Sequence, residues 1–411
     1  MTVTEAIGNI LAESPWATTI GAVCDRFGGS VQTGPFGSQL HAADYSEHGT
    51  PVVMPQDMVE GRISTSRVAR VGEHHLIALS RHRLEASDIV FSRRGDVTRF
   101  AVVTEREKGW ICGTGSIRIR LNSPEIDIGY VRYFLGQKAI GNWLLHNAKG
   151  VTMPNLNTEV IRAIPFVYPP LPEQQRIAAI LDKADALRRK RRQAIELLDS
   201  LTQSIFLEMF GDPVTNPHDW KRKPLSVYER FLTSGSRGWA KYYAPTGRGF
   251  IRIQNLVGGE LSTKDLIYVD APNDAEARRT TVQEGDVLVS ITADLGRTAV
   301  VPRSLHNLAH INQHIALIRT KDIDPAYLAM YLVSPAGKAQ FDVLNRQGVK
   351  AGLNFDNIRE LQILEPPLRL QKEYVTRKRS VESAIGRLIH QLDGMNDVFS
   401  SLQARAFSGQ L

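Results

Sequence analysis

The chain has 411 residues, of which 42% are hydrophobic and 23% charged. This is a globular composition, and too long for one ordinary core. Fifty Lys and Arg against 43 Asp and Glu leave a net charge of +7, which is compatible with a nucleic-acid partner and does not establish one. Two cysteines, Cys24 and Cys112, exclude a disulfide framework and a cysteine-rich zinc site, and are expected as buried thiols in a reducing compartment. No leader segment and no apolar run of about 20 residues is visible, so a cytoplasmic location is expected.

The predicted elements come twice. Asp88-Ile-Val-Phe-Ser-Arg-Arg-Gly-Asp-Val-Thr-Arg-Phe-Ala-Val-Val103 aligns without a gap to Asp286-Val-Leu-Val-Ser-Ile-Thr-Ala-Asp-Leu-Gly-Arg-Thr-Ala-Val-Val301, 198 residues on. Trp16–Phe27 pairs with Trp220–Phe231, and Pro51–Met58 with Gly249–Leu256. Such a period is a duplicated domain, not a solenoid unit. Within each copy, short β-branched or alternating runs read as strands: Val52-Val-Met, Asp88-Ile-Val-Phe and Ser116-Ile-Arg-Ile-Arg-Leu, then Phe250-Ile-Arg-Ile, Asp286-Val-Leu-Val and His314-Ile-Ala-Leu-Ile. One short helix follows in each copy, over Tyr130–Ile140 and Ala326–Phe341.

Each copy then gives way to a long helix. Pro172-Glu-Gln-Gln-Arg-Ile places proline in the first turn and Glu173 at the positive end of the dipole. Its predicted apolar seam is Ile177, Ile180, Ala184, Leu187, Ala194, Leu198, Leu201 and Ile205, with Gly211 and Pro213 as the stop. That is a rod of about 57 Å. The second seam follows Pro366-Pro367: Val381, Ile385, Leu388, Leu392, Met395, Phe399, Leu402 and Ala406, interrupted by Gly386 and Gly394. Neither stripe is buried by its own helix, so the two are expected to pack on each other antiparallel. The fold class is therefore α+β, pseudo-two-fold, with globules over 1–171 and 213–367 and spacer helices over 172–212 and 368–411.

No phosphate loop, Asn-Pro-Pro-Tyr motif, zinc-protease helix or nucleophile elbow is present. Cys112-Gly-Thr-Gly-Ser116 lies between strands and reads as a turn. His74-His75 has no third ligand at metal spacing. Two large domains without chemistry point to a binding protein.

The polar loops recur at matching places with different side chains. Arg93, Arg94 and Arg99 stand opposite Ile291, Thr292 and Arg297; Gln56 opposite Gln254; Ser38 and Gln39 loosely opposite Ser236 and Arg237. Lys149 and Asn155 stand near the first copy's end, and Lys350 and Asn354 near the second's. Arg252, Asn255 and His314 complete the candidate DNA contacts. Arginine suits guanine or phosphate, and Asn or Gln suits adenine. The run Leu187-Arg-Arg-Lys-Arg-Arg192 wraps around its helix and reads as a solvated face rather than a DNA contact.

The whole chain resembles the specificity subunit of type I restriction-modification systems. The marks are Pro170-Leu-Pro-Glu-Gln-Gln-Arg-Ile177, Met209-Phe-Gly-Asp-Pro213, Ser234-Gly-Ser-Arg-Gly-Trp239 and Phe407-Ser-Gly. The resemblance implies two target-recognition domains, each reading half of a split asymmetric DNA site. It implies helices that set the gap and dock two adenine methyltransferase subunits, with Gln174 and the seam residues as docking and spacer positions. Two helicase-nuclease restriction subunits join in some such systems. It implies no catalytic site and no cofactor here, S-adenosylmethionine, ATP and Mg being used by the partners. The departure is Arg369-Leu-Gln-Lys-Glu-Tyr374, which replaces the proline-led helix start. A stand-alone two-headed DNA-binding regulator is the alternative reading, and an enzyme with an unrecognised site is a third.

Overall fold

The computed structural model describes residues 15–36, 39–66, 68–150, 154–235, 237–346 and 352–411. The chain divides into two compact units, residues 1–192 with 391–411, and residues 193–390. The division passes through both long helices, Leu171–Phe210 and Leu368–Phe407, so each unit holds one globule, half of one helix and half of the other.

In the first unit the strand Ala17–Thr19 pairs antiparallel with Pro165–Val167, closing the globule near its two ends. Thr19 then caps the helix Ile20–Phe27. The main sheet runs Ser30–Thr33, Ser116–Arg120, Ile89–Ser92, Phe100–Val102, all antiparallel. The strand Ile89–Ser92 is buried on both faces, which is why it reads as a continuous apolar run instead of an alternating one. A second sheet has the order Ile111–Cys112, Thr50–Val53, Ala69–Val71, Tyr45–Ser46, its first pair parallel. Both cysteines are buried and unpaired, and burial pushes the Cys112 thiol up to about 12.

The second unit repeats this plan. Arg222–Pro224 pairs with Gln362–Leu364. The main sheet begins Glu229–Ser234, Ile315–Thr320, Val287–Ser290, Thr298–Val300 and continues through Gly259–Leu261 to Leu256–Val257. The second sheet runs Tyr243–Ala244, Ile267–Val269, Arg248–Ile251, Ala309–Ile311. The single short helices expected from sequence are pairs: Ile128–Leu135 with Lys138–Asn147, and Pro325–Val333 with Pro335–Arg346. Gly136 separates the first pair. Pro335, which cannot continue a helix, starts the second member of the other.

Within each unit the two helix halves run antiparallel. In the first, Arg188 donates to Asn396 at 2.8 Å and Arg176 to the carbonyl of Leu411 at 3.0 Å. In the second, Tyr374 packs against Phe206 and Phe210, and Arg377 lies 3.8 Å from Glu208. The helix roots enter the globular cores: Ile177, Ala178, Leu181, Ala406 and Phe407 in one, Ile205, Phe206, Phe210 and Tyr374 in the other.

The second helix keeps its predicted seam, every position from Val381 to Ala406 being covered to some degree. The first does not. Leu187 is 57% exposed and Leu201 39%, while Leu181 is fully buried and Asp185 nearly so. Asp185 sits among Arg62 at 3.5 Å, Arg188 at 3.7 Å and Arg189 at 3.1 Å. A paired carboxylate therefore occupies a core-facing position that an apolar period cannot register.

Gln174 is also reassigned. It is fully buried, accepts from the amide of Asp127 at 3.0 Å and donates to the carbonyls of Glu125 and Pro169 at 2.9 and 2.7 Å. Gln371 repeats the lock on Asp324 and Pro366, both at 2.8 Å. These glutamines fix each helix to its own globule and are not presented to a partner. Gln174→Ala would strand one amide and two carbonyls. A loss of about 2–4 kcal/mol is expected, read as a lower urea midpoint for the first unit.

Candidate nucleic-acid interface

A backbone clasp recurs in both units where the sequence placed the divergent loops. In the first, the amide of Gly34 donates to Ser116 at 2.8 Å, Arg93 to Gly115 at 2.7 Å, Leu156 to Arg93 at 2.9 Å and Gly113 to Val53 at 2.9 Å. In the second, Gly235 donates to Ile315 at 3.2 Å, Ile291 to His314 at 2.9 Å, Leu353 to Ile291 at 2.8 Å and Asn312 to Ile251 at 3.0 Å. Four hydrogen bonds correspond one to one.

The two glycines are required by close approach. A Cβ on Gly34 would lie 2.1 Å from the Gly113 oxygen, and one on Gly235 2.0 Å from the Asn312 oxygen. Gly34→Ala and Gly235→Ala should each destabilise their own unit by about 2 kcal/mol or more, seen as a lowered thermal midpoint.

On this frame the side chains differ. The first clasp carries Arg93, whose guanidinium lies 5.3 Å from the ring centre of Phe36, itself 51% exposed. Arg94 and Lys149 both bridge Asn155 through the backbone. The Nε of Arg93 and the Oδ1 of Asn155 are buried without a partner among the described residues. Burial, then the neighbouring Arg94, holds the Arg93 guanidinium below its usual range. The second clasp carries a polar chain instead: Gln313 contacts His314 Nε2 at 3.0 Å, and His314 Nδ1 meets the Thr292 hydroxyl at 2.6 Å. Arg237 is exposed beside left-handed Gly238.

The structure brings Arg93, Arg94, Lys149 and Asn155 together, and Thr292 with His314. Other candidates are placed differently. Arg99 and Arg297 are held in ion pairs by Asp96 and Asp294 of their own loops, and Arg99 lines a cleft with Arg132 and Arg188. Gln56 is exposed on the turn Pro55–Asp57, and Gln39 accepts from the amide of Phe36 at 3.3 Å. Arg252 donates to the carbonyl of Asp265 at 2.9 Å.

Two asparagines are committed to the backbone. Asn255 is 1% exposed. It accepts from Arg252 at 3.0 Å and donates to Ser262 and Lys264 at 3.1 and 3.3 Å. It is a turn brace with no free edge for a base. The Asn354 oxygen caps the helix Phe355–Glu360, accepting from Asn357 at 2.8 Å. Ser38, Ser236 and Lys350 lie outside the described residues. In the basic run, Arg188 stacks on Phe399 at 4.2 Å, and Arg189 and Arg192 pair with Asp185 and Glu60.

Phe36 was missed in sequence, although its Gly34-Pro-Phe-Gly setting, a turn that leaves an aromatic outside, was the available signal.

The second unit also carries a buried histidine next to its interface. His310 is 1% exposed, packs at a tilt against the Trp239 ring at 5.0 Å and meets the Thr280 hydroxyl at 3.3 Å. Burial, then Arg248, pushes its pKa down to about 4. Between that value and about 6.5 the unfolded chain binds the extra proton, so stability is full above that window and falls as pH drops through it. Urea unfolding at pH 7 and pH 5 should show the second unit weakening at pH 5. His310→Ile, the residue type at the matching position 111, should remove that dependence.

The family model for the type I restriction modification DNA specificity domain matches residues 77–197 and 251–387. A putative type I restriction enzyme specificity subunit, MjaX, of Methanocaldococcus jannaschii is 22% identical over 359 residues, covering 82% of this chain and 81% of that one. The EcoKI specificity subunit of Escherichia coli is 23% identical over 305 residues, 69% and 65% of the two chains. Among solved structures, the type I S subunit from M. genitalium superposes with a TM-score of 0.53 at 15% identity over 95% of both chains. A chain from a structural study of complex assembly in the type I R-M system gives 0.55 at 18% identity, over 96% of this chain and 98% of that one.

The chain belongs to the type I restriction-modification DNA specificity family. Within it, the chain is a specificity subunit, a DNA-recognition component and not the catalytic one. Among the described residues no helix is long and apolar enough to cross a membrane.

Proposed function

We propose that each globule reads one half of a split, asymmetric DNA sequence through its clasp. The long helices set the gap between the halves and dock two adenine methyltransferase subunits, and two restriction subunits join when a system carries them. S-adenosylmethionine, ATP and Mg belong to those partners. One observation carries the reading: the clasp hydrogen bonds are retained in both units while the side chains mounted on them are not, Arg93 against Ile291 and Gly115 against His314. A fold kept for stability alone has no reason to vary the exposed chemistry at the one place where its backbone is held constant. Arg94 and Lys149 supply phosphate contacts, and the half-buried groups supply base contacts.

The test is methylation-motif sequencing of a host expressing this chain with its methyltransferase. His314→Ala should relax positions in one half of the motif and leave the other half unchanged. Equal relaxation of both halves would defeat the assignment of one reader per globule.

A further inference from the structure

Resting on that reading, we propose that Arg93 reads the guanine of a G·C pair in the half-site of the first globule, with Phe36 as the platform that fixes its plane. Arg93 differs from Arg99 and Arg297. Arg99 and Arg297 already have carboxylates, whereas Arg93 has no ion pair among the described residues. A phosphate needs only a cation within reach, and Arg94 and Lys149, both exposed, offer that without a defined plane. Arg93 is instead oriented from two sides. Its backbone is tied to Gly115 and Leu156, and its guanidinium lies over the Phe36 ring.

The buried Nε–H has no partner among the described residues, which leaves the two terminal N–H groups as the edge of the fork that a base can meet. Guanine N7 and O6 present two parallel acceptors to such an edge. A half-desolvated fork left unpaired is costly, which is what makes the wrong base pair costly. The second globule has Ile291 at this position and needs no guanine there.

The experiment expresses the full chain with its methyltransferase and maps methylated motifs for the wild type, Arg93→Ala, Arg93→Lys and Phe36→Ala. The wild-type motif should hold a G·C pair in one half at a position where Arg93→Ala loses discrimination by about 10- to 100-fold. Arg93→Lys should keep overall methylation and lose the same discrimination, because ammonium has no fork. Phe36→Ala should weaken that position and no other. A uniform fall in methylation with no relaxed position, or full discrimination retained by Arg93→Lys, would overturn the proposal and make Arg93 a phosphate contact. If Arg93→Ala abolishes methylation with its thermal midpoint unchanged, Arg93→Lys decides between the two. A wild-type motif that is not split in halves would instead defeat the underlying reading of two recognition globules.

Discussion

Asp286→Ala is expected to cost the second unit about 3 kcal/mol or more, and with it recognition of one half of the DNA site only. The carboxylate is 1% exposed. It accepts from Arg319 Nε at 2.9 Å and Nη2 at 3.2 Å, and from the amide of Gln283 at 2.7 Å. Burial raises its pKa despite that arginine. Removing the carboxylate leaves the Arg319 charge with only the Thr281 carbonyl and the Phe231 ring, and leaves the Gln283 amide unpaired, the arrangement that makes broken buried pairs expensive. Asp88 repeats the design in the first unit, bonded to Arg120 at 2.7 and 2.6 Å and to the Glu85 amide at 2.7 Å. Denaturant unfolding of the two alanine variants should therefore weaken opposite units. Coincident weakening of both units in either variant would contradict independent cores.

The second large effect concerns the gap. Each long helix has 40 residues, about 60 Å at 1.5 Å per residue. Removing four residues from both shortens each rod by about 6 Å. The methylation motif of that variant should keep both halves and lose one or two base pairs of the gap, given the roughly 3.4 Å rise of duplex DNA. An unchanged gap would mean that something other than helix length sets the spacing.

The duplication, the strand runs and both long helices are legible in the sequence because they are stated twice and in apolar periods. The second helix seam follows its 4-3 pattern faithfully, since its covered positions are apolar. The first fails where Asp185 and Arg188 take core-facing positions by pairing, an arrangement visible only once Arg62 and Asn396 are placed beside them. The clasp was half legible. Repeated loops marked the place, but Asn255 and Asn354 showed the limit of residue type as a guide. Asparagine braces turns and caps helices with the same atoms that read adenine. Phe36 was hidden for the opposite reason, because its partner Arg93 is 57 residues away.

The central claim, that each globule carries its own half of the specificity, is tested most directly by a chimera in which the second globule is replaced with a copy of the first, between the same two helices. Methylated-motif sequencing of that chimera should return a motif containing the first half twice, with the wild-type gap. A motif that still contains the original second half would contradict the account.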